Sequence, residues 1–368
     1  MARLRLLLTG LVVWFAAFAA NAIAADFTKP GPLAVGVQKF KISDITGKHP
    51  MATTVWYPAI GPAPDPAGEI LKVATDAPPA ASGPYPLVVV IHGLDGVGAM
   101  YGTLGSQLAS YGFVVAAANY DDGLHDAPGE GISYRDRNAI WLLYNRPANV
   151  VRVIEYADTL TAMGGKLAGI IDTSHIGVWG HSTGGSTVFQ AGGAQIDFKE
   201  LDAWCAEHNK ESTTSETCQF VGHEQAVATH YGAANPFAAP MPPIWDRRVA
   251  ALVAGAPGGE LHAFGDTGIA AVKVPALIMF AANDAIVFPK YNAVWAYDGI
   301  GSQHKSLAVF DDGGHIMFMN SWVPQFKVAT ALATAFFLDI LKGDAEGRAA
   351  LMPDALSFPG LSYRTAFH

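Results

Sequence analysis

The chain has 368 residues, of which 51% are apolar and only 15% charged. That balance excludes a disordered or coiled-coil protein. A formal charge of −9 argues against nucleic acid as a partner. The 39 glycines and 23 prolines follow no period, which excludes a collagen-like chain and leaves a loop-rich globular one.

At the start, Arg3 and Arg5 precede an uncharged run over residues 6–20, then Asn21-Ala22-Ile23-Ala24-Ala25. A basic start, an apolar stretch and a small-residue end read as a secretory signal peptide over residues 1–25, cut after Ala24 or Ala25. The apolar run is short for a spanning anchor. The expectation is an exported chain, periplasmic or secreted, with residues 26–368 forming one domain that is not inserted in a membrane.

Residues 35–43 partly alternate apolar with polar, as a half-buried strand does, and residues 51–57 read as its partner. Residues 61–86 are rich in Pro, Ala and Gly and show no clear element beyond residues 70–73. Residues 87–91 (LVVVI) are continuously apolar, as in a parallel strand buried on both faces. Residues 100–111 read as a helix and residues 113–118 as the next buried strand. Residues 135–163 carry helical spacing, with Pro147 restarting the helix in its first turn. Further buried strands are expected at residues 176–179, 249–254, 276–280 and 306–310, with helices at 183–191 and 328–341. Strands alternating with helices predict an α/β fold, a mostly parallel central sheet with helices on both faces.

Residues 198–248 interrupt that rhythm and read as a cap-like insertion after the 183–191 helix. Ligands bind at the carboxyl ends of such strands, so an insertion there would shape a pocket. It holds Cys205 and Cys218, the only cysteines. In an exported protein they are expected to pair as a disulfide. Metal binding is the alternative, with His208 and His223 nearby, but the spacing matches no common zinc pattern closely.

The strongest chemical signal is Gly180-His181-Ser182-Thr183-Gly184-Gly185, set between a strand and a helix. Gly-x-Ser-x-Gly in that setting places the serine on a sharp turn at the sheet edge. Ser182 is therefore the expected nucleophile. A serine hydroxyl needs a base, and the base needs an orienting acid. His315 follows the 306–310 strand in a Gly-rich loop and is the expected base. Asp284, just past the 276–280 strand, is the expected acid; a helix cap is its other reading. Glu260 is the rival acid. The amides of Thr183, after the nucleophile, and of Leu94, in His92-Gly93-Leu94-Asp95-Gly96, are the expected oxyanion donors. Tyr101, Tyr120, Trp179, Phe288, Trp295, Phe318 and Trp322 lie near these loops and are expected mainly in the core.

These residues resemble the α/β-hydrolase superfamily, and within it the platelet-activating-factor acetylhydrolase and dienelactone-hydrolase-like group. The resemblance rests on Thr54-Val55-Trp56-Tyr57-Pro58, His92-Gly93-Leu94, residues 108–115 and 176–185, Asp284 and Gly314-His315. It covers residues 35–341, with the insertion matching least. It implies an α/β-hydrolase fold, with Ser182 as nucleophile, His315 as base, and Leu94 and Thr183 as oxyanion donors. In the acetylhydrolase branch the acid follows the strand that here ends in Val253-Ala254-Gly255-Ala256-Pro257, and no Asp stands there. Asp284 lies one strand later, where the dienelactone branch places its acid. The expected activity is hydrolysis of a small-molecule or lipid carboxylic ester with short acyl chains, through an acyl-enzyme and without cofactor or metal. A lipase or cutinase-like polyester hydrolase is the alternative, and a catalytically silent binding protein on the same fold is the rival of another class.

Overall fold

The computed structural model describes residues 26–65, 71–123, 131–208, 215–356 and 358–366. The expected signal peptide lies outside them. The strands are β1 (Ala34–Ser43), β2 (Pro50–Ala59), β3 (Val73–Thr75), β4 (Tyr85–Ile91), β5 (Val114–Ala118), β6 (Ile171–His181), β7 (Val249–Gly255), β8 (Ala276–Ala281), β9 (Lys305–Phe310) and β10 (Leu361–Thr365). They form one sheet in the order β10-β9-β8-β7-β6-β4-β5-β2-β1-β3. From β5 through β4, β6, β7 and β8 to β9 every pairing is parallel. The β1–β2 hairpin joins antiparallel through β2 to β5, and β10 closes the far edge antiparallel to β9.

The helices are α1 (Gly102–Ser110), α2 (Tyr134–Ile140), α3 (Arg146–Thr161), α4 (Thr183–Ala191), α5 (Phe198–His208), α6 (Ser215–Cys218), α7 (Glu224–His230), α8 (Gly265–Ile269), α9 (Ala293–Gly299), α10 (Pro324–Lys342) and α11 (Ala345–Ala350). They cover both faces, and β4 explains its own apolar run. Leu87, Val89 and Ile91 pack in one core with Val150, Val153 and Ile154 of α3 and Val188 and Phe189 of α4. Val88 and Val90 pack in the other with Leu104 and Leu108 of α1 and Phe336 and Phe337 of α10. Each such side chain contributes roughly 1.5–3 kcal/mol of burial, so a strand with no polar face is the stable choice. The arrangement is the expected α/β-hydrolase fold.

Helix α10 is long and apolar enough to cross a bilayer by length and composition. Here its apolar faces are spent on the core: Phe337 lies where a Cβ on Gly177 of β6 would come within 2.7 Å of its ring. The 135–163 stretch restarts at Pro147 as expected, but without a break. A π-helical turn over Trp141–Asn145 joins α2 to α3. The wider turn absorbs a residue whose ring and missing N–H would disrupt a regular α-helix. Strand β10 was not foreseen: five residues with alternating partial exposure, at an edge, carry no continuous apolar signal.

The 198–248 segment contributes α5, α6 and α7. It is polar outside, yet Leu201, Cys205, Phe220, Val227 and Met241 are buried in the main core. Cys205 and Cys218 are disulfide-bonded, tying α5 to α6. The two histidines of the metal alternative are engaged elsewhere: His223 Nδ1 with Asp136 at 2.7 Å, and His208 Nδ1 with the Trp204 carbonyl.

Candidate active site

Ser182 sits between β6 and α4 with φ 57° and ψ −126°. A serine in that backbone region costs on the order of 1–3 kcal/mol, which the surroundings must offset. They do so by crowding. A Cβ on Gly180 would fall 2.2 Å from the Gly184 carbonyl oxygen, and one on Gly184 would fall 2.3 Å from the Ile91 carbonyl oxygen. Only glycine at both positions lets the turn close against β4. The Ser182 amide is held by the Gly255 carbonyl at 3.0 Å.

The structure brings Ser182, His315 and Asp284 together from the ends of β6, β9 and β8. His315 Nε2 is 2.9 Å from Ser182 Oγ, and His315 Nδ1 is 2.8 Å from Asp284 Oδ2. The other carboxylate oxygen, Oδ1, accepts the amides of Ile286 and Val287, both at 2.9 Å. Asp284 thus caps its own turn with one oxygen and holds the imidazole with the other. Burial by itself would raise its pKa; the hydrogen bonds from His315, Val287 and Ile286 outweigh that and hold it below the usual value. Next to it, Asn283 ties down the histidine loop. Its Oδ1 accepts the Gly314 amide at 2.9 Å, and its Nδ2 donates to Asp312 at 2.6 Å. Glu260 is buried on the wall of the same cleft, whereas Asp284 occupies the Nδ1 side of His315.

A cleft of about 520 Å³ opens over Ser182 and His315, with Leu94 and Thr183 in its lining. Thr183 is the first residue of α4, so its amide has no intrahelical acceptor. The loop bearing Leu94 lies against Ser182: a Cβ on Gly93 would be 3.2 Å from Ser182 Cβ. The outer wall is apolar, with Met100, Tyr134, Ile286 and Ile316 all substantially exposed. Gln219, beside Cys218 in the 198–248 segment, also lines the cleft.

Of the aromatic residues singled out from the sequence, Tyr101, Tyr120, Trp179 and Phe318 are core, and Tyr101 also lines the cleft. Trp295 packs on His262, while Phe288 and Trp322 are exposed. Sequence reasoning passed over His181 and Arg146. His181 is fully buried, and burial together with nearby His315 pushes its pKa down to about 3. As a neutral imidazole it donates from Nε2 to the His315 carbonyl (2.9 Å) and accepts at Nδ1 from Tyr101 Oη (3.1 Å). The Tyr101 oxygen in turn accepts the Gly93 amide at 3.4 Å. One chain of hydrogen bonds therefore links the Gly93 loop to the histidine loop beneath the serine. Arg146 was readable only as an oddity, a charge following Leu142-Leu143-Tyr144-Asn145.

Comparison with known proteins bears on the fold and on the family it resembles. The model of the family "Platelet-activating factor acetylhydrolase, isoform II" matches residues 68–127, which include β4, the Gly93 loop, α1 and β5. The platelet-activating factor acetylhydrolase of Canis lupus familiaris is 31% identical over 162 residues, covering 33% of this chain and 35% of that protein. That of Bos taurus is 26% identical over 165 residues, with the same coverage of each. The chain thus spans about 35% of the length of the relatives it matches. The fold is that of an α/β-hydrolase, and within that fold the chain resembles the platelet-activating-factor acetylhydrolase group.

Proposed function

We propose that the protein is an exported serine hydrolase that cleaves carboxylic esters through an acyl-enzyme. One observation carries the reading: the unbroken chain Ser182 Oγ–His315 Nε2, His315 Nδ1–Asp284 Oδ2, with contacts of 2.9 and 2.8 Å. His315 takes the Ser182 proton as Oγ attacks the ester carbonyl. The Leu94 and Thr183 amides hold the tetrahedral oxyanion. The C–O bond to the alcohol then breaks, and His315 gives the proton to the departing alkoxide. Water repeats the sequence on the acyl-enzyme and releases the acid. Each step uses only protein groups and water. Asp284 keeps the imidazole tautomer and stabilises the imidazolium. Export is supported by the leader-like residues 1–25 and by the disulfide, a bond that persists in oxidising compartments.

A second reading, a lipase or cutinase-like polyester hydrolase, is favoured by the exposed apolar residues that line the cleft: Leu94, Met100, Ile286 and Ile316. The test of the first reading is Ser182→Ala. It should abolish hydrolysis of p-nitrophenyl acetate, leave the thermal unfolding intact, and remove labelling by a fluorophosphonate. Retained turnover would sink the assignment. A panel of esters graded by acyl length, with a phospholipid and a polyester included, separates the two readings.

A further inference from the structure

We propose that Arg146, locked to Asp122, is the positioning residue that orients the oxyanion loop and turns the Leu94 amide toward Ser182. This rests on the reading of Ser182 as nucleophile. Arg146 opens α3, far from the reacting atoms in sequence, and its side chain has no exposed surface; that of Asp122 is 2% exposed. Such a buried pair is costly unless every donor and acceptor is used. Here they are used on the loop. Arg146 Nε meets Asp122 Oδ1 at 2.6 Å. Its Nη1 donates to the His92 carbonyl at 2.9 Å and its Nη2 to the Gly93 carbonyl at 3.2 Å. The second Asp122 oxygen accepts the Asp95 amide at 2.6 Å.

In a trans peptide the C=O of Gly93 and the N–H of Leu94 point in opposite directions. Whatever holds the Gly93 oxygen therefore aims the Leu94 amide. That oxygen takes three donors: Arg146, the Gly96 amide at 3.1 Å and His92 Nδ1 at 2.6 Å. The His92 tautomer is set by its other nitrogen, which accepts the Tyr120 amide at 2.8 Å, so Nδ1 carries the proton. Gly93 lies against Ser182, so the freed amide faces the cleft. Asp95, at φ 53°, is where the loop turns back to its anchor on Asp122. A lysine could not replace this arginine: a single ammonium cannot reach both carbonyls and the carboxylate as a planar fork does.

The experiment uses the purified enzyme carrying Arg146→Lys, with Asp122→Asn as a second variant. Hydrolysis of a p-nitrophenyl ester is compared with that of its thionoester, whose sulfur accepts hydrogen bonds poorly. The variant should lose roughly 10²–10³-fold in kcat on the oxo ester, the scale of one lost oxyanion donor, with KM within about threefold. The oxo-to-thiono rate ratio should fall by about tenfold or more, an effect that a general loss of folded enzyme cannot produce. If Arg146→Lys does not fold, Asp122→Asn should show the same collapse of the ratio. An unchanged ratio in a folded variant, or unchanged kcat, overturns the proposal while leaving the serine hydrolase standing. A wild-type protein that neither hydrolyses the oxo ester nor takes up fluorophosphonate at Ser182 overturns both.

Discussion

Replacing Asp284 by Asn tests the assignment of the acid, because the two carboxylate oxygens have separable duties. Oδ1 accepts the amides of Ile286 and Val287, a role that the Asn oxygen can keep. The amide nitrogen then takes the place of Oδ2, 2.8 Å from His315 Nδ1. That nitrogen only donates, so His315 must present a bare Nδ1 and carry its proton on Nε2. The protonated Nε2 faces Ser182 Oγ at 2.9 Å and can no longer take a proton from it. Loss of the base together with the imidazolium's counter-charge should lower kcat by about 10³–10⁴. That equals about 4–5.5 kcal/mol of transition-state stabilisation. KM should stay within about threefold and the unfolding free energy within about 2 kcal/mol, since the turn survives. The assay is steady-state hydrolysis of p-nitrophenyl acetate, run beside Glu260→Gln. Glu260 lies on the cleft wall, so its variant should keep activity within about tenfold of the parent. A silent Glu260→Gln enzyme beside an active Asp284→Asn one would refute the assignment and exchange their roles.

Two further outcomes are expected. Removing the disulfide with Cys205→Ser should lower the unfolding free energy by about 2–4 kcal/mol, the scale for closing a short loop. It should also raise KM, because Gln219 beside Cys218 lines the cleft; unchanged urea unfolding would refute the clip. Stability should fall as pH drops below about 6.5. Burial pushes His181 down to about 3, and burial, with Arg146 beside it in the one case and His208 in the other, pushes His92 and His262 to about 4. The unfolded chain protonates these histidines near 6.5 while the folded one does not, so unfolding takes up protons between about pH 6.5 and pH 4. Three such groups give a slope of up to about 4 kcal/mol per pH unit near pH 5. Urea unfolding at pH 7.5 and 5.0 measures it, and stability that is flat or rising toward pH 5 would contradict the buried neutral state.

What was legible in the sequence was what local chemistry dictates. The apolar strands of the parallel sheet are continuous because both of their faces are covered, and that pattern is written in LVVVI, VAALVA and ALIMF. The Gly-x-Ser-x-Gly turn announced itself because its glycines answer to backbone clashes only a few residues away or one strand over. Ser182, Asp284 and His315 could be singled out because each follows a strand that the apolar pattern had already located. Strand β10 could not, since an edge strand with one side half-buried and the other exposed carries no such pattern.

The tertiary structure alone decided how those loops meet. No spacing in the chain says that Asp284 divides its two oxygens between a turn and His315, or that His181 bonds through Nε2 to the His315 carbonyl. Nor does any pattern announce that Arg146 and Asp122, 24 positions apart, lie buried under the Leu94 loop. These are long-range contacts between polar groups. They leave no periodic trace in the sequence, and their geometry exists only once the sheet has brought its strand ends together.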